Sequence, residues 1–316
     1  MKISILLTSY NGEKYITALL DSLRLQSRKA DNIMIIDDRS SDSTKAIIEK
    51  YIDDYSLSDW SFSVNKKNLG WIKNFWFGIR ALSQNSKGAD DLIFICDQDD
   101  LWHPDKLAVM EKNMLKNPKA DVLASGKKDF KAKEINDIPE MKKHYEYDPK
   151  KSREFLGYNN SFEFFYPGCT LCARADFLRS IDKYWGDFRY DDYILSSAAL
   201  KRSLYFYDEK LIFQRLHSNN TTKRGSDAGN YEYQKKESRY NYKKSKALME
   251  FSKELPKQGQ AKKIKRLFKF SRIRNDLYEK SSIFSWLHLF FYTDCYYRRK
   301  AYFDDFKYVF RRYSSP

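Results

Sequence analysis

Short apolar runs alternate with helix-period segments through about the first 125 residues. That order predicts strands feeding crossover helices in a parallel α/β sheet. Ile3–Ser9 is a continuous apolar strand, and a turn at Asn11-Gly12 leads to a helix whose Ile16, Leu19, Leu20 and Leu23 recur at three and four residues. Ile33–Asp37 is a second buried strand, followed from about Ser41 by a helix with Ile47, Ile48, Tyr51 and Ile52 inward. Ser61–Val64 is a weaker strand and Trp71–Leu82 a helix. Leu92–Cys96 is the fourth strand, the helix after Pro104 runs to about Lys116, and Asp121–Ser125 is the fifth strand. Residues 126–165 lack a period and predict an excursion with some hairpin character. Phe164–Ala173 then predicts a strand, Arg174–Ile181 and Asp191–Lys201 helices, and Leu204–Asp208 a last strand.

The fourth strand ends in Asp97-Gln98-Asp99-Asp100. Three carboxylates this close repel one another and raise each other's pKa unless a cation neutralises them. An oxygen-rich cluster suits Mg²⁺ or Mn²⁺, ions that often hold a diphosphate too. It also lies at a strand's carboxyl end, where open α/β sheets place ligands. The plainer alternative is a solvated acidic turn complementing the dipole of the next helix. The first strand offers Thr8, Tyr10 and Glu13 at the same edge, with one glycine where a dinucleotide fold needs three. The second strand ends in Asp37-Asp38, and an acceptor-only carboxylate there can take a pyrimidine imide N–H, or serve as a plain turn residue.

Charge divides the chain at about residue 225. Residues 231–316 hold 22 Lys and Arg against 9 Asp and Glu, a net +13 of the chain's +15. The predicted organisation is therefore a domain over 1–225 and a basic, aromatic, helical region over 226–316. Such a tail suits an anionic partner. Cys96, Cys169, Cys172 and Cys295 do not suggest a disulfide framework, and Cys169-x-x-Cys172 lacks a second pair or a nearby His to complete a zinc site. No signal peptide is expected from Lys2 and the short run after it. No stretch reaches the ~18–20 apolar residues of a membrane span; 283–297 is short and interrupted. A cytoplasmic protein attached peripherally to the membrane is expected.

Ordered along residues 3 to about 220 stand "ISILLTSYNGEKYI", "IMIIDDRSSDST", "NKKNLGWIKNFWFGI", "FICDQDDLWHPDKL", "YPGCTLCARADFL", "FRYDDYILSSAAL" and "RLHSNN". Together they resemble the family 2 glycosyltransferases, and within them the bacterial rhamnosyltransferase-like enzymes of surface polysaccharide synthesis. The resemblance implies a GT-A fold, a Rossmann-like mixed sheet flanked by helices, here with a basic helical extension. It implies inverting transfer from a UDP- or dTDP-sugar to a hydroxyl of a glycan or polyprenyl-diphosphate-linked saccharide, with Mn²⁺ or Mg²⁺ as cofactor. Multiple membrane spans and a "QxxRW" motif are absent, which favours one sugar per encounter over processive synthesis.

Carried over position by position, the resemblance places Thr8, Tyr10 and Glu13 at the base and ribose, Asp38 on the pyrimidine, and Asn68 and Gly70 in the loop approaching the nucleotide. Asp99 becomes the main metal ligand with Asp97 and His217, while Asp97 and Asp100 also serve ribose, sugar or coordinated water. Gly168 and Cys169 match the acceptor-side strand. Asp191 and Asp192 match the catalytic acidic pair, with Asp192 as the base that takes the acceptor proton.

In the tail, Leu267, Phe268 and Phe270 sit among Lys262, Lys263, Lys265, Arg266, Lys269 and Arg272, a mixture able to lie in an anionic membrane interface. The alternatives are a helical subdomain on the catalytic core or a contact in a homodimer. Two other functions stay weighed against the transferase. A sugar-phosphate nucleotidyltransferase needs a Gly- and Arg-rich loop that "TSYNGEKY" lacks. Nucleic-acid binding through the tail comes without a recognised motif, so no nucleic-acid partner is expected.

Overall fold

Strand parity sets how the sheet is covered. The computed structural model describes residues 1–131, 144–155, 164, 166–217, 230–256, 260–296 and 298–310. It begins with β1 (Ile3–Ser9), α1 (Ile16–Arg24), β2 (Asn32–Asp37), α2 (Thr44–Asp54), β3 (Trp60–Val64), α3 (Trp71–Asn85) and β4 (Leu92–Asp97). Ile3, Ile5 and Leu7 of β1, with Leu92, Phe94 and Cys96 of β4, face one apolar layer shared with α1 and α2. Leu6, Ile93 and Ile95 face the opposite layer with α3, because successive strand side chains alternate. A strand buried on both faces needs a continuous apolar run, which is what these sequences carry.

The chain continues through β5 (Leu101–Trp102), α4 (Lys106–Lys116), β6 (Val122–Phe130), β7 (Ser152–Glu154), β8 (Leu171–Arg174), α5 (Ala175–Asp182), α6 (Tyr190–Lys201) and β9 (Leu204–Arg215). The order β3-β2-β1-β4-β8-β6-β9-β5 makes a mixed sheet, with β7 also on β9. The first four strands are parallel as expected. The place beside β4 goes instead to β8, antiparallel, and the expected fifth strand lies one further out. Phe164–Ala173 is not one strand: a 3₁₀ turn at Gly168–Thr170 precedes β8. Leu204–Asp208 extends to Arg215, because β6, β7 and β5 all pair with it. Of the expected excursion, 132–143, 156–163 and 165 lie outside the described residues, as does the boundary near 225.

Four helices follow: α7 (Tyr231–Ser252), α8 (Gln260–Lys280), α9 (Ile283–Leu289) and α10 (Lys300–Phe310), with a 3₁₀ turn at Phe290–Cys295. Their Leu248, Phe251, Ile264, Leu267, Phe270, Ile273 and Leu277 join the same apolar cluster as α3, α5 and α6. So Leu267 and Phe270 turn inward, and Phe268 is half-buried and stacked on Tyr242 at 5.8 Å. The face of α8 expected to meet a membrane is the face that meets the core. Helix α6 is consequently covered on both sides, and every residue from Tyr193 to Leu200 is buried. This explains its run of small residues and its lack of an amphipathic stripe.

Candidate active site

Register brings the acids together. In the sheet Thr8 pairs with Asp97 and Ser9 with Asp37, so the carboxyl ends of β1, β2 and β4 finish level. Asp37 is buried and accepts from Ser9 Oγ at 2.7 Å, Ser40 N at 2.7 Å and Ser40 Oγ at 2.6 Å. Gln98 ties β4 to β1: Tyr10 N donates to its Oε1 at 2.8 Å, and its Nε2 donates to Tyr10 O at 2.9 Å. The Tyr10 side chain stays exposed above this clamp. Thr8 is buried beneath it.

Asp38, expected on the pyrimidine, is engaged within the protein. Its carboxylate is buried and accepts from Asn65 Nδ2, Leu69 N and Gly70 N, each at 2.8 Å. About three of the four acceptor sites of a carboxylate are thereby filled. Asn68 Nδ2 donates to the Asp38 carbonyl at 3.1 Å, and Asn68 Oδ1 accepts from Gly70 N at 3.0 Å. Gly70 has φ +78°, which an L side chain adopts only under strain. Asp38 therefore builds the 65–70 loop. Glu13 is likewise engaged, accepting from Ser43 N at 2.9 Å just before α2.

The acidic cluster sits at the mouth of β4. Asp97, Asp100 and Cys169 place one ligand atom each within 4.8 Å of one another. Asp100 is buried; its Oδ1 accepts from Arg215 N at 3.2 Å, and its Oδ2 finds no N–H or O–H donor among the described residues. Burial, then the neighbouring Asp99, pushes the Asp100 carboxyl up to about 7. Burial first, then Asp100, Asp99 and Asp191, holds Asp97 well above the usual carboxylate range. Of the expected ligands, Asp97 lies in this group, while Asp99 and His217 meet each other. His217 Nε2 lies 2.8 Å from Asp99 Oδ2, and its ring stacks on Tyr15 at 4.8 Å. Asp100 and Asp97, which share the Cys169 thiol as a hydrogen-bond partner, form a buried carboxylate pair that a hard cation would fit.

Beneath the cluster, buried Lys106 donates to the Cys169 carbonyl at 2.9 Å and sits 3.6 Å from the Trp102 ring centroid. Burial pulls its pKa down to about 8. Cys169 and Cys172 are buried free thiols, both pushed up by burial. A Cβ on Gly168 would overlap the Tyr190 ring, which is itself buried, 4.3 Å from Phe75 and 6.2 Å from Trp71. Gly168→Ala should thus cost on the order of 1–3 kcal/mol through overpacking. Thermal unfolding checks this; an unchanged Tm would show that Tyr190 can move aside.

The two acids that open α6 differ sharply. Asp192 accepts from Tyr240 Oη at 2.7 Å and from Lys244 Nζ at 2.7 and 2.8 Å, with Arg189 at 3.7 Å. Burial alone would raise its pKa, but Lys244 and Arg189 more than offset that and hold it below the usual range. Among the described residues no cation pairs with Asp191, although Arg189 still acts on it. Its Oδ1 accepts from Asp192 N at 2.8 Å, its charge is felt by Asp97, and burial lifts its pKa to about 6. The expected base, Asp192, is tied to α7, while Asp191 is the member of the pair whose charge acts on Asp97. Gln98, Arg215, Tyr240 and Lys244 were not foreseen. The first two stand inside quoted motifs, but nothing local marks Lys244, 52 residues from its partner.

Residues 4–179, more than half of the chain, match the profile of "Glycosyl transferase family 2". The dTDP-rhamnosyl transferase RfbG of Shigella flexneri is 28% identical over 224 residues, 68% of this chain and 72% of that protein. The crystal structure of Staphylococcus aureus TarS 1–349 in complex with UDP-GlcNAc superposes with a TM-score of 0.59 at 19% identity, over 99% of this chain and 91% of that one. A mannosyltransferase from Pyrobaculum calidifontis, in complex with GDP-Man and Mn²⁺, gives 0.55 at 11% identity over 99% and 88%. These two likenesses show a shared GT-A-type fold, with the central sheet flanked by helices. The chain belongs to glycosyl transferase family 2.

Proposed function

We propose that this chain moves a sugar, with inversion, from a pyrimidine nucleoside-diphosphate donor to a hydroxyl of a lipid-linked saccharide during bacterial surface-glycan synthesis at the inner face of the membrane. The observation that carries it is the meeting of Asp97, Asp100 and Asp191 at one end of the sheet. RfbG by name and TarS by its bound UDP-GlcNAc support the donor class.

Asp97 and Asp100 would hold the cation through carboxylate oxygens, a donor set that suits Mn²⁺ or Mg²⁺, while the Cys169 thiol, kept protonated by burial, lies beside them. Bound there, the ion supplies Lewis-acid stabilisation of the departing diphosphate. The chain's residues do the rest. Tyr10, fixed by Gln98, offers a ring face to the base, and the 65–70 loop built by Asp38 closes over the nucleoside. Asp191 takes the acceptor's hydroxyl proton as that oxygen attacks the anomeric carbon, and the nucleoside diphosphate leaves from the opposite face. Direct displacement with one base and no protein nucleophile inverts the anomeric centre.

Thermal shift tests the donor class. Mn²⁺ with UDP or dTDP should raise Tm by several degrees, as ligand linkage requires, and GDP or NAD should not. Stabilisation by an oligonucleotide, with none by any pyrimidine diphosphate, would sink the reading.

A further inference from the structure

The most exposed large apolar side chains among the described residues gather in the last helices. Phe284 is 79% exposed and Phe291 69%, and Leu287, Phe290 and Phe303 are each more than half exposed. Phe284, Leu287 and Phe291 follow one another at three and four residues through α9 and the 3₁₀ turn, so they share a side. They are not loose. Trp286 stacks on Tyr302 at 4.8 Å and its Nε1 donates to Tyr302 O at 3.1 Å, locking α9 to α10. Phe290 rests 6.2 Å from Tyr302, and Arg266 Nη2 donates to Phe291 O at 2.6 Å. The fold holds these phenylalanines outward on a rigid platform.

The charge around that platform is one-sided. The acids of this stretch are all answered: Asp294 by Arg266, Asp304 by Lys307 at 4.0 Å, and buried Asp305 by Arg274, Tyr278 and Tyr296. Arg298, Arg299 and Lys300, just ahead of Phe303, are exposed, as are Lys262, Lys265 and Lys269 on the outer side of α8. Among the described residues no acid pairs with these six cations, and aromatic side chains amid such charge suit the headgroup region of an anionic bilayer. An interface between two copies is ordinarily poor in lysine and would bring these cations together.

We propose that the α9–α10 platform docks the protein on an anionic membrane, inserting Phe284, Leu287, Phe290, Phe291 and Phe303 while the cations of α8 and residues 298–300 meet the headgroups. This deepens the lipid-linked-acceptor reading and rests on it for its purpose, since it brings the enzyme to its acceptor. The inward turn of Leu267 and Phe270 moves the insertion surface from α8 to this platform.

The test is sedimentation of the full chain with vesicles of phosphatidylcholine alone or mixed with phosphatidylglycerol. Light scattering and Mn²⁺-UDP thermal shift are run on the same samples. The wild type should pellet with the mixed vesicles only, and less at high salt. Phe284→Ser/Phe291→Ser should weaken partition by at least about tenfold with Tm and nucleotide response unchanged. Arg298→Glu/Arg299→Glu should weaken it by a similar factor. A wild type that stays in the supernatant, or an aromatic double variant that pellets as well as wild type, overturns the proposal. So does a wild-type dimer that the aromatic variant dissociates. A retained nucleotide response without vesicle binding would sink the docking surface and leave the transferase reading standing.

Discussion

Asp191→Asn should lower kcat by about 10²–10⁴-fold, the usual contribution of a positioned base, and leave donor affinity as it was. Asp192→Asn should lower kcat by about tenfold, because its carboxylate already holds two donors of α7 and acts only by placing its neighbour. Stability should move in opposite directions. Asp191 has its folded pKa raised to about 6, above the unfolded value, so ionisation weakens the fold between about pH 4 and 6 and that loss persists above. An uncharged Asn removes the loss, and Tm at neutral pH should rise by a few degrees. Asp192 has its folded pKa lowered, so it contributes stability above the unfolded value and loses it as pH falls. Asp192→Asn leaves the Lys244 ammonium without its counter-charge and should cost on the order of 3 kcal/mol.

The pH profile gives an independent reading. A base must be ionised, so wild-type activity should fall as pH drops through about 6. A cation in the cluster favours ionised Asp191 and moves this limb lower, never higher. Asp191→Asn should have no such limb. A fully active Asp191→Asn beside a dead Asp192→Asn would return the base to the second position.

How far the sequence foretells this site follows from distance along the chain. Apolar runs announce strands, whether buried on both faces as β1 and β4 or on one face as β2, so these three and the acids at their ends were legible. Partners across the sheet were not. Ser9 reaching Asp37, or Gln98 clamping Tyr10, depends on which strands lie adjacent. The pair Asp191-Asp192 was visible as a pair. Its division of labour was not, because the deciding cation comes from α7, a helix whose Lys-rich face reads as solvated surface. The same blindness affected Leu267 and Phe270: interleaved cations suggested a membrane face, although the helix turns those apolar residues inward. The lack of a second cysteine pair or a nearby His argued against a zinc site at Cys169-x-x-Cys172, yet Cys169 lies beside the acidic cluster through the 3₁₀ turn ahead of β8.

Asp100→Asn should abolish most of the Mn²⁺ response and cut Mn²⁺-dependent affinity for UDP by at least about a hundredfold, as loss of a metal ligand requires. Without metal the cluster works against the fold. Burial, then Asp99, raises Asp100, and burial, then Asp100 and Asp99, raises Asp97, so ionising both near neutral pH is unfavourable. Asp100→Asn should therefore raise Tm in chelator at pH 8, and Mn²⁺ should raise it further in wild type only. About 2.7 kcal/mol is available from a ligand at a hundred times its Kd, a shift of several degrees for a chain of this size. His217→Gln separates the two candidate ligand sets. If Asp99 and His217 chiefly hold each other, that variant should keep most of its Mn²⁺ response. Isothermal titration with Mn²⁺, then UDP, reads both. An Asp100→Asn protein that binds Mn²⁺ as wild type does, beside a His217→Gln protein that does not, would put the ion back on Asp99 and His217 and leave Asp100 a buried acid bound to the Arg215 backbone.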